Sequence, residues 1–143
     1  MKVESVLEAK GRDIITISSD AKVAEAARML KDKRIGALVV SDDGTTAVGI
    51  LSERDIVHAM VDHGPAVQDL LVSDLMTQEV ITCAPDDAIV DLMTQMTERR
   101  IRHLPVVKDG VLCGMVSIGD VVKNRIEEVE TEASAMREFI TGY

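Results

Sequence analysis

Two serine–carboxylate pairs carry the chain's clearest chemical signal: Ser52 with Asp55, and Ser117 with Asp120. Each hydroxyl stands three residues before its acid, in Gly49-Ile50-Leu51-Ser52-Glu53-Arg54-Asp55 and Gly114-Met115-Val116-Ser117-Ile118-Gly119-Asp120. A carboxylate at a helix start can accept charge-assisted hydrogen bonds from both hydroxyls of a vicinal diol. A serine one turn earlier sits where exposed amides and the helix dipole favour an anion. Losing a diol clamp of this kind costs roughly 1.5–3 kcal/mol, or about 10- to 100-fold in affinity. The same spacing is close to a capping box, in which serine and acid only close the first helical turn. Both roles can coexist. As nucleophile and base the pair serves poorly, because no histidine stands between carboxylate and hydroxyl.

These endings belong to a longer duplication, in which residues 13–57 are written again at 79–122. At a shift of 66 residues, Ile15 meets Ile81, Thr16 meets Thr82, Asp20 meets Asp86 and Arg34 meets Arg100. Further matches join Ile35 to Ile101, Leu38 to Leu104, Val40 to Val106 and Gly44 to Gly110. One residue is lost in a turn, and the shift becomes 65 for Ser52/Ser117 and Asp55/Asp120. Identities so regular, with the indel confined to a turn, mark an internal repeat.

Each copy reads strand–helix–strand–strand–helix. Residues 13–17 are rich in β-branched side chains and run into Ser18-Ser19-Asp20, a helix-start signal. Residues 22–33 then carry Val23, Ala26, Ala27 and Leu30 at helical spacing. Two strands, 37–41 and 47–51, flank the hairpin signal Asp42-Asp43-Gly44. The second copy predicts strand 80–83, a start signal at Pro85-Asp86-Asp87, helix 86–99, and strands 104–107 and 111–116. Residues 66–78 form a connector with a helical turn over 72–76, and His63-Gly64-Pro65 ends the helix begun near Ser52.

The C-terminal helix overruns its counterpart. From Val122 it carries Ile126, Val129, Ala133, Met136 and Ile140 as an apolar seam that must be buried. Val3, Val6 and Leu7 make a smaller stripe at the other end. Two outcomes stay open: the ends cover one another within the chain, or the seam pairs across a homodimer.

Composition excludes several classes. Nearly half of the 143 residues are apolar, enough for a sizeable core, and no apolar run reaches membrane-spanning length. A net charge of −9 argues against nucleic acid or an anionic membrane as partner. Phe139 and Tyr143 are the only aromatics, so a base bound in the body must lie between aliphatic side chains. Two cysteines, Cys83 and Cys113, are too few for a disulfide framework and read as small buried hydrophobes. With no signal-peptide pattern at Met1-Lys2-Val3-Glu4, a cytoplasmic location is expected. No Cys/His cluster suggests a metal site; His58 and His63 read as a helix-face and a helix-end residue.

Two βαββα repeats, the strand Leu104-Pro105-Val106-Val107, its degenerate copy Leu38-Val39-Val40 and the Gly-x-x-Ser-x-x-Asp endings resemble a cystathionine-β-synthase (CBS) domain pair. The first copy lacks the proline. The resemblance implies an α/β (α+β) fold in which the repeats pack sheet to sheet about a pseudo-twofold axis, with an extended C-terminal helix. It places repeat one at 5–62, a connector at 63–72, repeat two at 73–127 and the helical extension at 128–143.

It further implies two clefts that take adenosine compounds: AMP, ADP, ATP, NAD(H) or S-adenosylmethionine. By the same resemblance Asp55 and Asp120 hold ribose, and Ser52 and Ser117 meet phosphate. Arg102 and His103, just before the second LPV-type strand, take the family's phosphate-contacting positions. Gly36 and Ala37 leave the matching positions neutral, so the clefts should differ. Adenine is expected on Ile14, Ile15 and Thr16 in one cleft and on Val80, Ile81 and Thr82 in the other. Ala37 and Pro105 complete the candidate contacts, and Arg54 is either a phosphate ligand or part of a solvated helix face.

Lys33, Arg34, Arg99 and Arg100 read as cations favoured at helix C-termini, and Met115 as a core residue rather than a lid. If His103 meets phosphate as imidazolium, affinity should weaken between about pH 6 and 8. The leading functional expectation is a non-catalytic adenine-nucleotide sensor that dimerises and acts on an unidentified partner protein. A structural dimerisation module with empty clefts, or an S-adenosylmethionine binder, is the alternative, and nothing supports an enzyme.

Overall fold

The computed structural model describes residues 1–142. The first repeat contains β1 (Thr16–Ile17), α2 (Val23–Lys33), β2 (Ala37–Val40), β3 (Gly49–Ser52) and α3 (Glu53–His63), preceded by α1 (Val3–Lys10). A 3-10 segment, Gly64–Asp69, leads to α4 (Val72–Leu75). The second repeat holds α5 (Ile89–Arg99), β4 (His103–Lys108), β5 (Val111–Ser117) and the 24-residue α6 (Ile118–Thr141). The fold is thus mixed α/β, with two small sheets and a long C-terminal helix.

In the first sheet β1 runs parallel to β2, which pairs antiparallel with β3. The predicted strand 80–83 is reduced to a single bridge, Cys83 to Val106. Cys83 still exchanges bonds with the Pro105 carbonyl (3.0 Å) and the Val107 amide (2.8 Å). The next rung fails because Pro105, standing where repeat one has Val39, has no N–H to donate.

The short helices are exchanged between repeats. Val3, Val6 and Leu7 of α1 are buried with Leu92, Leu104 and Val116 of repeat two. Val72 of α4 is buried with Leu30, Leu38 and Leu51 of repeat one. This explains the two motif glycines. A Cβ at Gly114 would lie 2.6 Å from Leu7 Cδ2, and one at Gly49 would lie 2.5 Å from Met76 Sδ. Any larger residue there would have to push back Leu7 of α1 or the side chain of Met76, just after α4.

The exchange also sets where α2 and α5 begin. The amide of Val23 donates to Leu70 O (2.8 Å) and that of Ile89 to Met1 O (3.0 Å). Backbone from the incoming segment therefore satisfies the first turn, and neither N-cap, Lys22 or Ala88, uses its side chain. The start signal at Ser18-Ser19-Asp20 does other work: Ser19 donates its amide (2.9 Å) and hydroxyl (3.0 Å) to Asp42.

The terminal stripes do not cover one another along their length. The N-terminal ammonium reaches Glu128 at 3.1 Å, and Val121 joins the α1 core. Beyond that Ile126, Val129, Met136 and Ile140 stay exposed.

Candidate functional site

Two cavities open between the repeats, and each takes one wall from either half. Cleft one, about 290 Å³, is lined by Ser52, Glu53, Arg54 and Asp55 from the first repeat. Val80, Ile81, Arg100, Ile101 and Arg102 face them from the second. Cleft two, about 360 Å³, reverses the arrangement: Met115, Ser117 and Asp120 face Ile14, Ile15, Arg34 and Ile35. Gly36, Ala37 and His103 line both. The sequence places an adenine wall in each cleft but does not reveal that wall and carboxylate come from opposite repeats.

At each helix start the capping box is real. The Asp55 amide donates to Ser52 Oγ (3.2 Å), and the Ser52 amide donates to Asp55 Oδ2 (2.9 Å). Ser117 and Asp120 repeat this at the same two distances. The capping box uses one oxygen of each acid and leaves the other free to accept. Each serine oxygen accepts one amide, so its O–H proton and its second lone pair remain to meet a ligand. The Glu53 and Ile118 amides are engaged by Gly36 O (3.0 Å) and Arg102 O (2.8 Å). With these amides used internally, anion binding falls mainly to side chains.

Those side chains are unequal. Cleft one carries Arg54, Arg100 and Arg102 against Glu53, Asp55 and Glu79, whereas cleft two carries Lys10 and Arg34 against Asp13 and Asp120. Among the described residues no cation pairs with Asp55, but Lys10 Nζ lies 2.6 Å from Asp120 Oδ2. Partial burial opposes the charged form of Asp120, yet Lys10 and the Ser117 amide outweigh it and hold its carboxyl below the usual range. Lys10 was missed from sequence because it sits on α1, whose docking onto the other repeat no local pattern announces.

Arg34 and Arg100 were read only as helix-end cations. Both adopt left-handed backbone, with φ of 55° and 54°, and both line a cleft. Glycine is the preferred residue at that helix position, and a side chain there costs of order 1–2 kcal/mol. Both copies therefore carry an arginine at this strained position, where it lines a cleft. The matched Arg34/Arg100 identity was the available signal.

His103 is half-buried, and its ring packs on Gly36, where a Cβ would meet Cε1 at 3.2 Å. Burial first, then the charges of Lys10 and Arg102, lowers its pKa below the ordinary 6.5. The expected pH window for an imidazolium contact therefore opens lower than pH 6–8. Thr16 is half-buried, Thr82 exposed and Pro105 buried, and none of them is among the residues lining either cleft. Met115 lines cleft two rather than joining the core. Cys83 is buried, which pushes its thiol up to about 12. Among the described residues no group of three or more His, Cys, Asp or Glu is placed to hold a metal ion. None of the described helices is long and apolar enough to cross a membrane.

A duplicated α/β unit with paired clefts between its halves is the class these features define. The CBS domain pattern matches residues 6–62 and 72–127, and the chain belongs to that family. CBSX3, a mitochondrial CBS domain-containing protein of Arabidopsis thaliana, is 34% identical over 98% of this chain and 72% of its own length. The CBS domain-containing protein YhcV of Bacillus subtilis is 30% identical over 94% of both chains. Among solved structures, the CBS-domain containing protein ATU1752 of Agrobacterium tumefaciens superposes with a TM-score of 0.85 and 44% identity, covering 87% of this chain and 99% of that one. The CBS domain pair of MJ0100, solved with 5′-methylthioadenosine and S-adenosylmethionine, gives 0.79 and 26%, over 90% and 98%.

Proposed function

We propose that this chain is a non-catalytic regulatory module that binds an adenine nucleotide and alters a partner protein when occupied. AMP is the simplest ligand that meets both chemistries; ADP, ATP and NAD(H) share them. The observation that carries the reading is Asp55. It lines a cavity, keeps a carboxylate oxygen free of its capping bond, has no cation paired with it among the described residues, and faces Arg100 and Arg102. A ribose diol on Asp55 would set a 5′-phosphate among those arginines, where bidentate, charge-assisted bonds are strongest. Val80, Ile81, Ile14 and Ile15 supply aliphatic walls for adenine, as a chain with so few aromatics requires.

The MJ0100 complex supports adenosine compounds as the ligand class and keeps S-adenosylmethionine as a second reading. Arg100 and Arg102, on the wall opposite Asp55, support a 5′-anion over a sulfonium, with Glu53 and Glu79 in the same cleft opposing it. A homodimer is part of the proposal, supported by the exposed apolar seam of α6, and light scattering of the intact chain tests it.

Calorimetric and thermal-shift titrations with AMP, ATP, NADH, 5′-methylthioadenosine and S-adenosylmethionine decide the ligand. A compound at 100 times its dissociation constant stabilises the fold by about 2.7 kcal/mol. If no adenosine compound moves the melting point, the chain is a structural module and the sensor reading falls.

A further inference from the structure

We propose that Lys10 is a specificity-determining residue that makes cleft two select adenosine ligands carrying an anion at the 5′ carbon. The inference rests on the adenosine reading above and adds what separates the two clefts.

Lys10 closes the last turn of α1, and its ammonium donates to the Met115 carbonyl (2.9 Å) and to Asp120 Oδ2 (2.6 Å). That oxygen already accepts the Ser117 amide. In cleft one, Asp55 makes the same bond to Ser52, and the corresponding segment, Thr77-Gln78-Glu79, contains no cation. The difference comes from chain length. Leu7 and Met76 fill equivalent places on Gly114 and Gly49, but six residues separate Leu7 from Ile14 and only three separate Met76 from Val80. The longer link carries Lys10 into its cleft.

A ribose diol that claims both oxygens of Asp120 must move the ammonium off Oδ2. Where the ammonium goes then depends on the ligand. A 5′-phosphate lies within a ribose's breadth of the diol and offers the displaced cation a new partner. A neutral 5′ group leaves the ammonium with the Met115 carbonyl but no counter-charge, and a sulfonium puts a second cation in the same space. Lys10 contributes to the lowered pKa of His103, so its field reaches the shared wall. Asp13 lines the same cleft but makes no ion pair with Lys10. With the ammonium partly solvated, the discrimination is modest rather than absolute.

The test uses the full chain with one cleft disabled at a time. In an Asp55→Ala background, AMP and 5′-methylthioadenosine are titrated by calorimetry before and after Lys10→Met. The preference for AMP over 5′-methylthioadenosine is expected to fall about 5- to 10-fold, and Lys10→Arg should restore most of it. In an Asp120→Ala background, Lys10→Met should leave the ratio within about twofold. Lys10 is exposed at a helix end, so both variants keep the fold, which a melting curve verifies. An unchanged ratio in the Asp55→Ala background overturns the inference and leaves the adenosine reading intact. Failure of the unaltered chain to bind either probe overturns both.

Discussion

Clefts one and two share a backbone and differ in how their charges are arranged. Their capping boxes agree to the tenth of an ångström, at 2.9 and 3.2 Å in each. Around that constant frame, cleft one leaves its acid uncapped by any cation among the described residues and surrounds it with arginines, whereas cleft two ties its acid to a lysine. Duplication therefore preserves what the main chain must do and lets rim side chains diverge. On the proposed reading, specificity would rest on the rim residues Lys10, Arg34, Arg100 and Arg102 more than on the shared serine–aspartate endings.

The largest expected effect probes the element that delivers Lys10. Leu7 is fully buried against Gly114, so Leu7→Ala should cost about 2–5 kcal/mol of stability by urea denaturation. Met76, its counterpart over Gly49, is only partly buried and should cost less. Equal costs would mean that Met76 seals Gly49 as completely as Leu7 seals Gly114. Next in size is Asp55→Ala, expected to weaken AMP in cleft one by about 10- to 100-fold. The same change at Asp120 should be milder, because it also releases Lys10. Calorimetry resolving two sites checks this, and equal losses would erase the contrast between the clefts.

Much of this was legible in the chain. The duplication, the strands around Asp42-Asp43-Gly44, the long last helix and the paired Ser–Asp endings all follow from period, turn chemistry and repetition. What escaped was whatever depends on the helix exchange. Nothing local says that Leu7 fills the space over Gly114, so neither the glycine's purpose nor the arrival of Lys10 was readable. The helix expected over 22–33 begins within one residue of that, at Val23, but the start signal Pro85-Asp86-Asp87 puts the second helix three residues early, because incoming backbone, not a side chain, caps α5. The shortened strand near Cys83 follows from Pro105, visible in sequence but only meaningful once its parallel neighbour is known.

A smaller effect is expected at the arginines. Arg102→Ala should weaken AMP in cleft one by about 3- to 10-fold while leaving 5′-methylthioadenosine nearly unchanged, since an exposed guanidinium is partly screened. The loss should shrink as salt is raised. An equal loss for both compounds would make Arg102 a packing residue rather than a phosphate contact.

The smallest effect concerns His103, which both clefts share. Its folded pKa lies below the ordinary 6.5, because burial and the neighbouring Lys10 and Arg102 oppose the imidazolium. For the free protein this sets the sign of one stability term. As pH falls below about 6.5 the unfolded chain takes up a proton that the folded chain refuses, so stability is lost toward the folded pKa and is fully present above 6.5. Bound phosphate acts in the opposite direction, raising the pKa and drawing the proton back. If His103 contacts phosphate, AMP affinity therefore declines from the free pKa up to the bound one. Phosphate's own titration runs against this trend, so the comparison must be with His103→Gln. The ratio of wild-type to variant affinity should rise as pH falls below the ordinary 6.5 and approach one on the alkaline side. A ratio independent of pH would leave His103 as a neutral wall between the clefts and return the phosphate to the arginines alone.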